Sequence, residues 1–416
     1  MIEILKKKTI DKCGFSMNSL GDCQKLSNHI LEFQDDFISY NTLRRFFGVI
    51  HNDTKPSLNT LNILSKFNGY KDYNSFSVLF KFENKWKVQN DIYELIDNKN
   101  SCLLIEKLKF VLKNNKEAVS LVVQAIRELF LEDEIETIIA IFKLDELKMK
   151  NFNYDEVIHF ANGIGNILRN KNIHISKVTN LLDLKNYRDL VMSVFVDYSH
   201  LNGYYIDQID YVSNSSNTDS TVVFCKCLQN MHGFLNNKEL RNNDIQLKDN
   251  FHPILKSRII SQNLLQKKHN RVELVSSYCQ NIGYSNLRIE HFYELIITSM
   301  ICKDLYIMHF IIKIIEKFDD EIYLYQIRHS QHFILMKSLY YSTIGEKALY
   351  KESITNFSFD LVSKSYKQFV NIFFLIAKYN VVHSPEKISI FEEYKLIAKQ
   401  LGYQLFDTKY IKNYSA

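Results

Sequence analysis

From Ser101 onward, apolar residues recur three and four positions apart almost without a break, which is the spacing of one helix face. LLIEKLKFVL (103–112), AVSLVVQAIRELF (118–130), IETIIAIF (135–142) and VIHFANGIGNIL (157–168) read this way. LVMSVFVDY (190–198), TVVFCKCLQNMHGF (221–234), HFYELIITSMI (291–301) and FVNIFFLIAKY (369–379) continue the pattern. Short turns carrying Asn, Asp, Ser or Gly join these segments, so the chain is expected to form antiparallel helix pairs stacked on their neighbours. No strict repeat period aligns, and a helical solenoid is expected ahead of a compact bundle. Upstream, the pattern predicts helices over Gly21–Gln34, Ser39–Phe47, Ser57–Phe67 and Tyr73–Phe80. KFENKWKVQND (81–91) then reads as a connector or an exit strand or helix. A first domain is therefore placed at 1–98 and a second at 99–416. YVSNSSNTDST (211–221) is the most loop-like internal segment, an exposed loop or a seam.

Composition sharpens the class. Only three prolines and eleven glycines interrupt 416 residues, and Leu, Ile, Lys, Glu and Asn dominate, so the fold class is all-α. With 46% hydrophobic and 24% charged residues the chain has the make-up of a soluble globular protein. LYIMHFIIKIIEKF (305–318) comes nearest to a membrane span, but Lys313 and Glu316 interrupt it and a buried helix is expected. The N-terminus MIEILKKKTIDKCGF has no signal-peptide pattern. No stretch is apolar enough for a span, so no membrane partner is expected, and seven scattered cysteines (Cys13, Cys23, Cys102, Cys225, Cys227, Cys279, Cys302) fit reduced, mostly buried thiols in a cytoplasmic protein.

The net charge of +5 is unevenly spread. Between Ile38 and Asn90, Arg44, Arg45, Lys55, Lys66, Lys71, Lys81, Lys85 and Lys87 face only Asp53, Asp72 and Glu83, so this window holds the whole excess. A basic N-terminal module on a neutral body suits contact with phosphates, and a solvated lysine-rich face suits the same numbers.

Within that window, Ser39 and Ser57 are N-cap signals for two short helices. Leu43, Phe46 and Phe47 form the buried stripe of the first, leaving Tyr40, Asn41, Arg44 and Arg45 outward. Leu58, Leu61, Leu64 and Phe67 are the expected core of the second. The order ISYNTLRRFFG followed by KPSLNTLNILSKFNG resembles the recognition helix and following helices of phage-repressor (Cro/CI-like) helix-turn-helix domains, over roughly residues 20 to 76. That family pattern has a glycine near position 37 and a small residue earlier. This chain has Asp35-Asp36-Phe37 at the turn, and Leu31 or Phe33 where alanine is usual.

The resemblance implies that Tyr40, Asn41, Arg44 and Arg45 face double-stranded DNA and that Lys55, Lys66 and Lys71 add phosphate contacts. LMKSLYYSTIGEKALYKESITNF (335–357) resembles a degenerate tetratricopeptide hairpin. Together the two parts resemble bacterial helix-turn-helix/tetratricopeptide regulators, whose array takes a peptide or protein partner. The regulator reading allows for a homodimer, because two half-sites add their energies. The competing reading is a non-enzymatic interaction scaffold, for example in a defence or signalling assembly, in which the helix-turn-helix fold only caps the array. A third rests on Arg169 and His174, whose spacing resembles the R-x4-H pattern of HEPN ribonucleases.

No other motif points to catalysis, and no catalytic residue, metal or cofactor is expected. Cys225 and Cys227, with His232 nearby, project apart on a helix and lack a second ligand pair. His329 and His332 lack a third ligand and suit a polar patch between helices. Gly163-Ile-Gly165 lacks the strand and lysine of a phosphate loop, and Glu132-Asp133-Glu134 is a solvated helix start. A weak echo links LSKFNGYKDYNSF (64–76) with IAKQLGYQLFDTKY (397–410), the second copy being placed to close the last helix.

Overall fold

The computed structural model describes residues 1–51, 54–114, 117–169, 175–214, 220–241, 245–266, 270–317 and 324–414. Every regular element among them is helical. The chain divides into two compact units, Met1–Asn100 and Ser101–Ala416.

The first unit is built from α1 (Ile2–Cys13), α2 (Leu20–Gln34), α3 (Tyr40–Phe47), α4 (Leu58–Phe67) and α5 (Tyr73–Asp97). Four starts share one device, a short polar side chain accepting a backbone N–H three residues on. Ser19 takes the N–H of Asp22, Ser39 that of Thr42, Ser57 that of Thr60 and Asp72 that of Ser75. Leu5, Leu26, Ile30, Ile38, Leu43, Phe46, Leu61, Leu64, Phe67 and Phe76 form one core. Helix α1 is not foreseen by the hydrophobic pattern, because Lys6-Lys7-Lys8 breaks it. Lys6 and Lys8 lay their stems on the core while Lys7 is exposed; the Lys8 ammonium donates to the Tyr70 hydroxyl, and Lys12 donates to the Phe67 carbonyl. Of the alternatives open for residues 81–91, the structure takes the helix, since they are the middle of α5. One further expectation is corrected: Leu58, at the first position of α4, is 66% exposed rather than core. The turn between α2 and α3 needs no glycine. Asp35 adopts the left-handed conformation (φ 56), which Asp tolerates better than most residues, and buried Ser27 donates to the Ile38 carbonyl at 2.6 Å.

The second unit opens with α6 (Ser101–Asn114), α7 (Ala118–Leu131), α8 (Ile135–Phe142) and α9 (Tyr154–Leu168). It continues with α10 (Ile175–Leu182), α11 (Lys185–Tyr187), α12 (Tyr204–Ser213) and α13 (Ser220–Leu235). Helix α11 runs into a π-helical turn, Arg188–Met192, so 190–198 is not the continuous helix that its apolar run suggests. Of the loop or seam expected at 211–221, residues 215–219 lie outside the described residues, while its two ends are helical, in α12 and α13, which pack against each other. Then come α14 (Pro253–Gln266), α15 (Arg271–Ile282), α16 (Tyr293–Cys302), α17 (Leu305–Ile315), α18 (Leu324–Thr343), α19 (Lys347–Thr355), α20 (Lys367–Val381), α21 (Glu386–Leu401) and α22 (Thr408–Lys412).

From α14 onward the arrangement is repeat-like. Helices α14, α16, α18 and α20 pack each on the next, and α15 packs on α17 beside them. Unequal helix lengths and unequal starts account for the absence of a strict period. Within 305–318, α17 is helical as expected but buried on one face only, through Ile307, Met308, Ile311, Ile312 and Ile314, while Tyr306 is 82% exposed. Thr343 and Lys347 bound the tight turn of the α18–α19 hairpin. After α21 the chain folds back. The Tyr403 hydroxyl donates to the Tyr198 carbonyl, and those of Tyr410 and Tyr414 donate to carbonyls at the end of α16. The echo between 64–76 and 397–410 is thus partly structural, since Asp72 and Asp407 each cap the helix that follows.

Gly163 and Gly165 lie inside α9, and their role is close approach. A Cβ on Gly165 would lie 2.4 Å from the Phe195 ring, and one on Gly163 would lie 2.6 Å from Val123 Cγ1. Phe195 is 4% exposed and its carbonyl is held by the Tyr205 hydroxyl at 2.6 Å, so the ring has little room to retreat. Gly165→Ala is expected to cost about 1–3 kcal/mol of stability by overpacking. Urea unfolding checks this, and an unchanged midpoint would mean that Phe195 can move after all.

Candidate nucleic-acid interface

Helix α3 is short, capped by Ser39 and closed by Gly48, and it buries Leu43 and Phe46. With one face fixed to the core, residues at i, i+1, i+4 and i+5 must face away from it. Tyr40 is 39% exposed, and Asn41 and Arg45 are exposed. Arg44 is half-buried rather than fully outward. Its Nη1 donates to Asn41 Oδ1 at 3.3 Å, and its Nε is buried without a hydrogen-bond partner. That contact pre-orients Arg44 along the helix toward Asn41. Neither arginine has an acidic partner among the described residues.

The lysines differ from one another. Lys55 is exposed and carries no ion pair among the described residues, and Lys71 is exposed next to the Asp72 cap. Lys66 is 3.1 Å from Asp36 Oδ2, so the phosphate contact expected of it would have to break an existing ion pair. Asp36 belongs to the very turn whose two carboxylates stand close to the start of α3, and Lys66 neutralises one of them. Of the α1 lysines, Lys6, Lys8 and Lys12 are committed to packing, while Lys7 is exposed. Lys6 lies over the Phe46 ring, Lys8 over Tyr70 and Phe80, and Lys12 over Phe33 and Phe67.

In the second unit, Arg169 meets a different partner from the one expected. His174 lies outside the described residues. Arg169 Nε instead sits 3.1 Å from Asp197 Oδ2, and the same fully buried carboxylate approaches His200 Nδ1 at 3.1 Å and accepts from the Tyr204 hydroxyl at 2.9 Å. This cluster holds the irregular segment 193–203, whose backbone has few helical partners. Tyr198 next to it donates to Glu294 at 2.8 Å, and Arg258 reaches both of them from α14. Sequence reasoning missed these groups because the deciding pairs, Arg169 with Asp197 and Tyr198 with Glu294, lie 28 and 96 residues apart, although His200 and Tyr204 lie near Asp197 along the chain.

The other candidates resolve simply. Cys225 and Cys227 are buried, burial pushes the Cys227 thiol up to about 12, and His232 Nε2 bonds Asn202 at 2.8 Å. His332 is buried between the Tyr293 and Tyr366 rings, while the side chain of His329 lies outside the described residues. Glu132 and Asp133 are exposed in the turn before α8, and Glu134 is half-buried there. No group of three or more possible metal ligands occurs among the described residues, and no helix there is long and apolar enough to cross a membrane. One open groove of about 370 Å³ lies between α7 and α9, lined by Val123, Gln124, Arg127, Leu131, Gly163 and Asn166, and another of about 370 Å³ lies where α21 meets the turn after it, lined by Tyr394, Ala398, Gly402 and Phe406. Comparison of the chain with protein-family models, with curated proteins and with solved structures finds no match.

Proposed function

We propose that the protein is a DNA-binding regulator. The first unit contacts duplex DNA with the outer face of α3, and the helical second unit takes a peptide or protein partner. One observation carries the reading: exposed Arg45 and half-buried Arg44 lie on a capped, core-anchored helix with no acidic partner among the described residues. A scaffold in which this unit is only a cap would favour arginines neutralised by neighbouring carboxylates, as Lys66 is by Asp36. Arg is the usual partner of guanine O6 and N7 and Asn of adenine, so Arg45 and the coupled Asn41–Arg44 pair supply base-reading chemistry. The groove between α7 and α9 is one concavity in the second unit that a partner could enter.

The test is fluorescence anisotropy against salt, using the protein's own upstream region and a scrambled duplex. The expected result is selective binding that weakens steeply with salt and falls at least tenfold in the Arg44→Ala/Arg45→Ala double variant. Lys66→Ala should weaken binding less than either arginine change, because Asp36 already occupies its charge. Equal, feeble binding to both duplexes, unchanged in the double variant, would leave the unit as a structural cap.

A further inference from the structure

The middle of α5 carries an apolar stripe that its own unit does not cover. Val78 is 58% exposed, Leu79 47%, Phe82 64% and Trp86 60%. At 100° per residue these four fall within an arc of about 100°, on the side of the helix away from Tyr73, Phe76 and Phe80, which pack on the core. Scattered exposed apolar residues need no explanation. Four adjacent large ones on a single helix face, including the chain's only tryptophan, mark an interaction surface.

We propose that this stripe is the contact between two copies of the chain, with the α5 helices side by side and parallel about a twofold axis. The edges of the stripe favour that occupant. Lys81 and Lys85 border one edge, and Glu83, 3.7 Å from Lys8, borders the other. A parallel, twofold-related copy sets the lysine edge of each helix against the glutamate edge of its partner, whereas an antiparallel copy sets like against like. The stripe is also short. It ends where Gln89 donates to the Tyr93 hydroxyl at 2.9 Å, so the contact centres on Phe82 and Trp86. Closing it removes on the order of 1,000 Å² in total, the lower edge of specific interfaces, and a reversible dimer of roughly micromolar affinity follows.

This inference stands apart from DNA binding and is tested without DNA. Sedimentation velocity on the full chain, over concentrations up to on the order of 100 μM, should show a monomer–dimer equilibrium. Emission from Trp86 should shift to the blue as the dimer forms. Phe82→Glu should weaken the dimer at least tenfold while leaving the circular dichroism spectrum and Tm as in wild type, since the side chain is mostly exposed. Lys81→Glu should also weaken it, and adding Glu83→Lys to that variant should recover part of the loss. A chain that stays monomeric with unshifted emission throughout the range overturns the proposal. So does a dimer that persists in the Phe82→Glu variant, which would place the contact on another surface.

Discussion

Replacing Glu294 by alanine is expected to cost about 3–5 kcal/mol, because it leaves the guanidinium of Arg258 buried without its counter-charge. Arg258 is 3% exposed and Glu294 fully buried, facing each other from α14 and α16. Burial draws the Arg258 guanidinium down, but Glu294 together with Tyr198, Tyr366 and Tyr205 around it outweighs this and holds its pKa above the ordinary range. Burial likewise pushes the Glu294 carboxyl up, opposed by Arg258 and by the Tyr198 hydroxyl. Arg258 also stacks over Phe224, with its guanidinium carbon 4.4 Å from the ring centroid, so it cannot swing out to water without losing that contact. The neighbouring turn is built to the same plan. Ser257 Oγ accepts the N–H groups of Glu294 and Leu295 and so caps the first turn of α16 from a different helix. Arg258→Ala should cost a similar amount, whereas Arg258→Met combined with Glu294→Leu should recover most of it, since an apolar pair of similar volume carries no desolvation cost. Equilibrium urea unfolding of the full chain reads all three. A loss below about 1 kcal/mol in Glu294→Ala would show that solvent reaches the pair, contrary to its burial.

What the sequence could show of this protein depends on how local the cause is. The starts of α3 and α4 were legible because Ser39 and Ser57 act within three residues, and the stripe of Leu43 and Phe46 repeats within one turn. The outward placement of Tyr40, Asn41 and Arg45 followed from the same periodicity. Arg44 is half withdrawn, a detail set by its contact with Asn41 and by the packing beneath it. The ion pair that occupies Lys66 joins residues 30 apart and leaves no local trace. Helix α1 was hidden by three consecutive lysines, two of which, Lys6 and Lys8, lay their stems on the core. Helix α5 looked interrupted because its apolar residues change sides, inward at Phe76 and Phe80 and outward at Phe82 and Trp86. The segment after Met192 was misread for the opposite reason: its residues are apolar enough for a helix, but tertiary contacts through Asp197 and Tyr198 decide its path.

Lowering the pH should remove a second portion of stability, and the group responsible is His291. The ring is 7% exposed, in a tight turn ahead of α16, with Nδ1 accepting the Arg288 N–H at 3.2 Å. Burial pulls its pKa from 6.5 down to about 4, helped by the positive charges of Lys256 and Arg288 and by His252. His252, stacked on Tyr154 with 5.4 Å between centroids, is lowered by burial as well. A histidine held neutral by the fold binds its proton more readily in the unfolded chain. Its contribution is therefore fully present above about pH 6.5 and is lost as pH falls toward 4. A drop from 6.5 to about 4 corresponds to a loss on the order of 3 kcal/mol across that window. His291→Asn keeps an acceptor for the Arg288 N–H and removes the titration. The variant should be less stable than wild type at pH 7.5 by its packing loss alone, and the gap should close or invert by pH 4. Unfolding midpoints of both proteins at several pH values in this window measure the gap, and a gap that stays constant would assign the acid sensitivity to other groups.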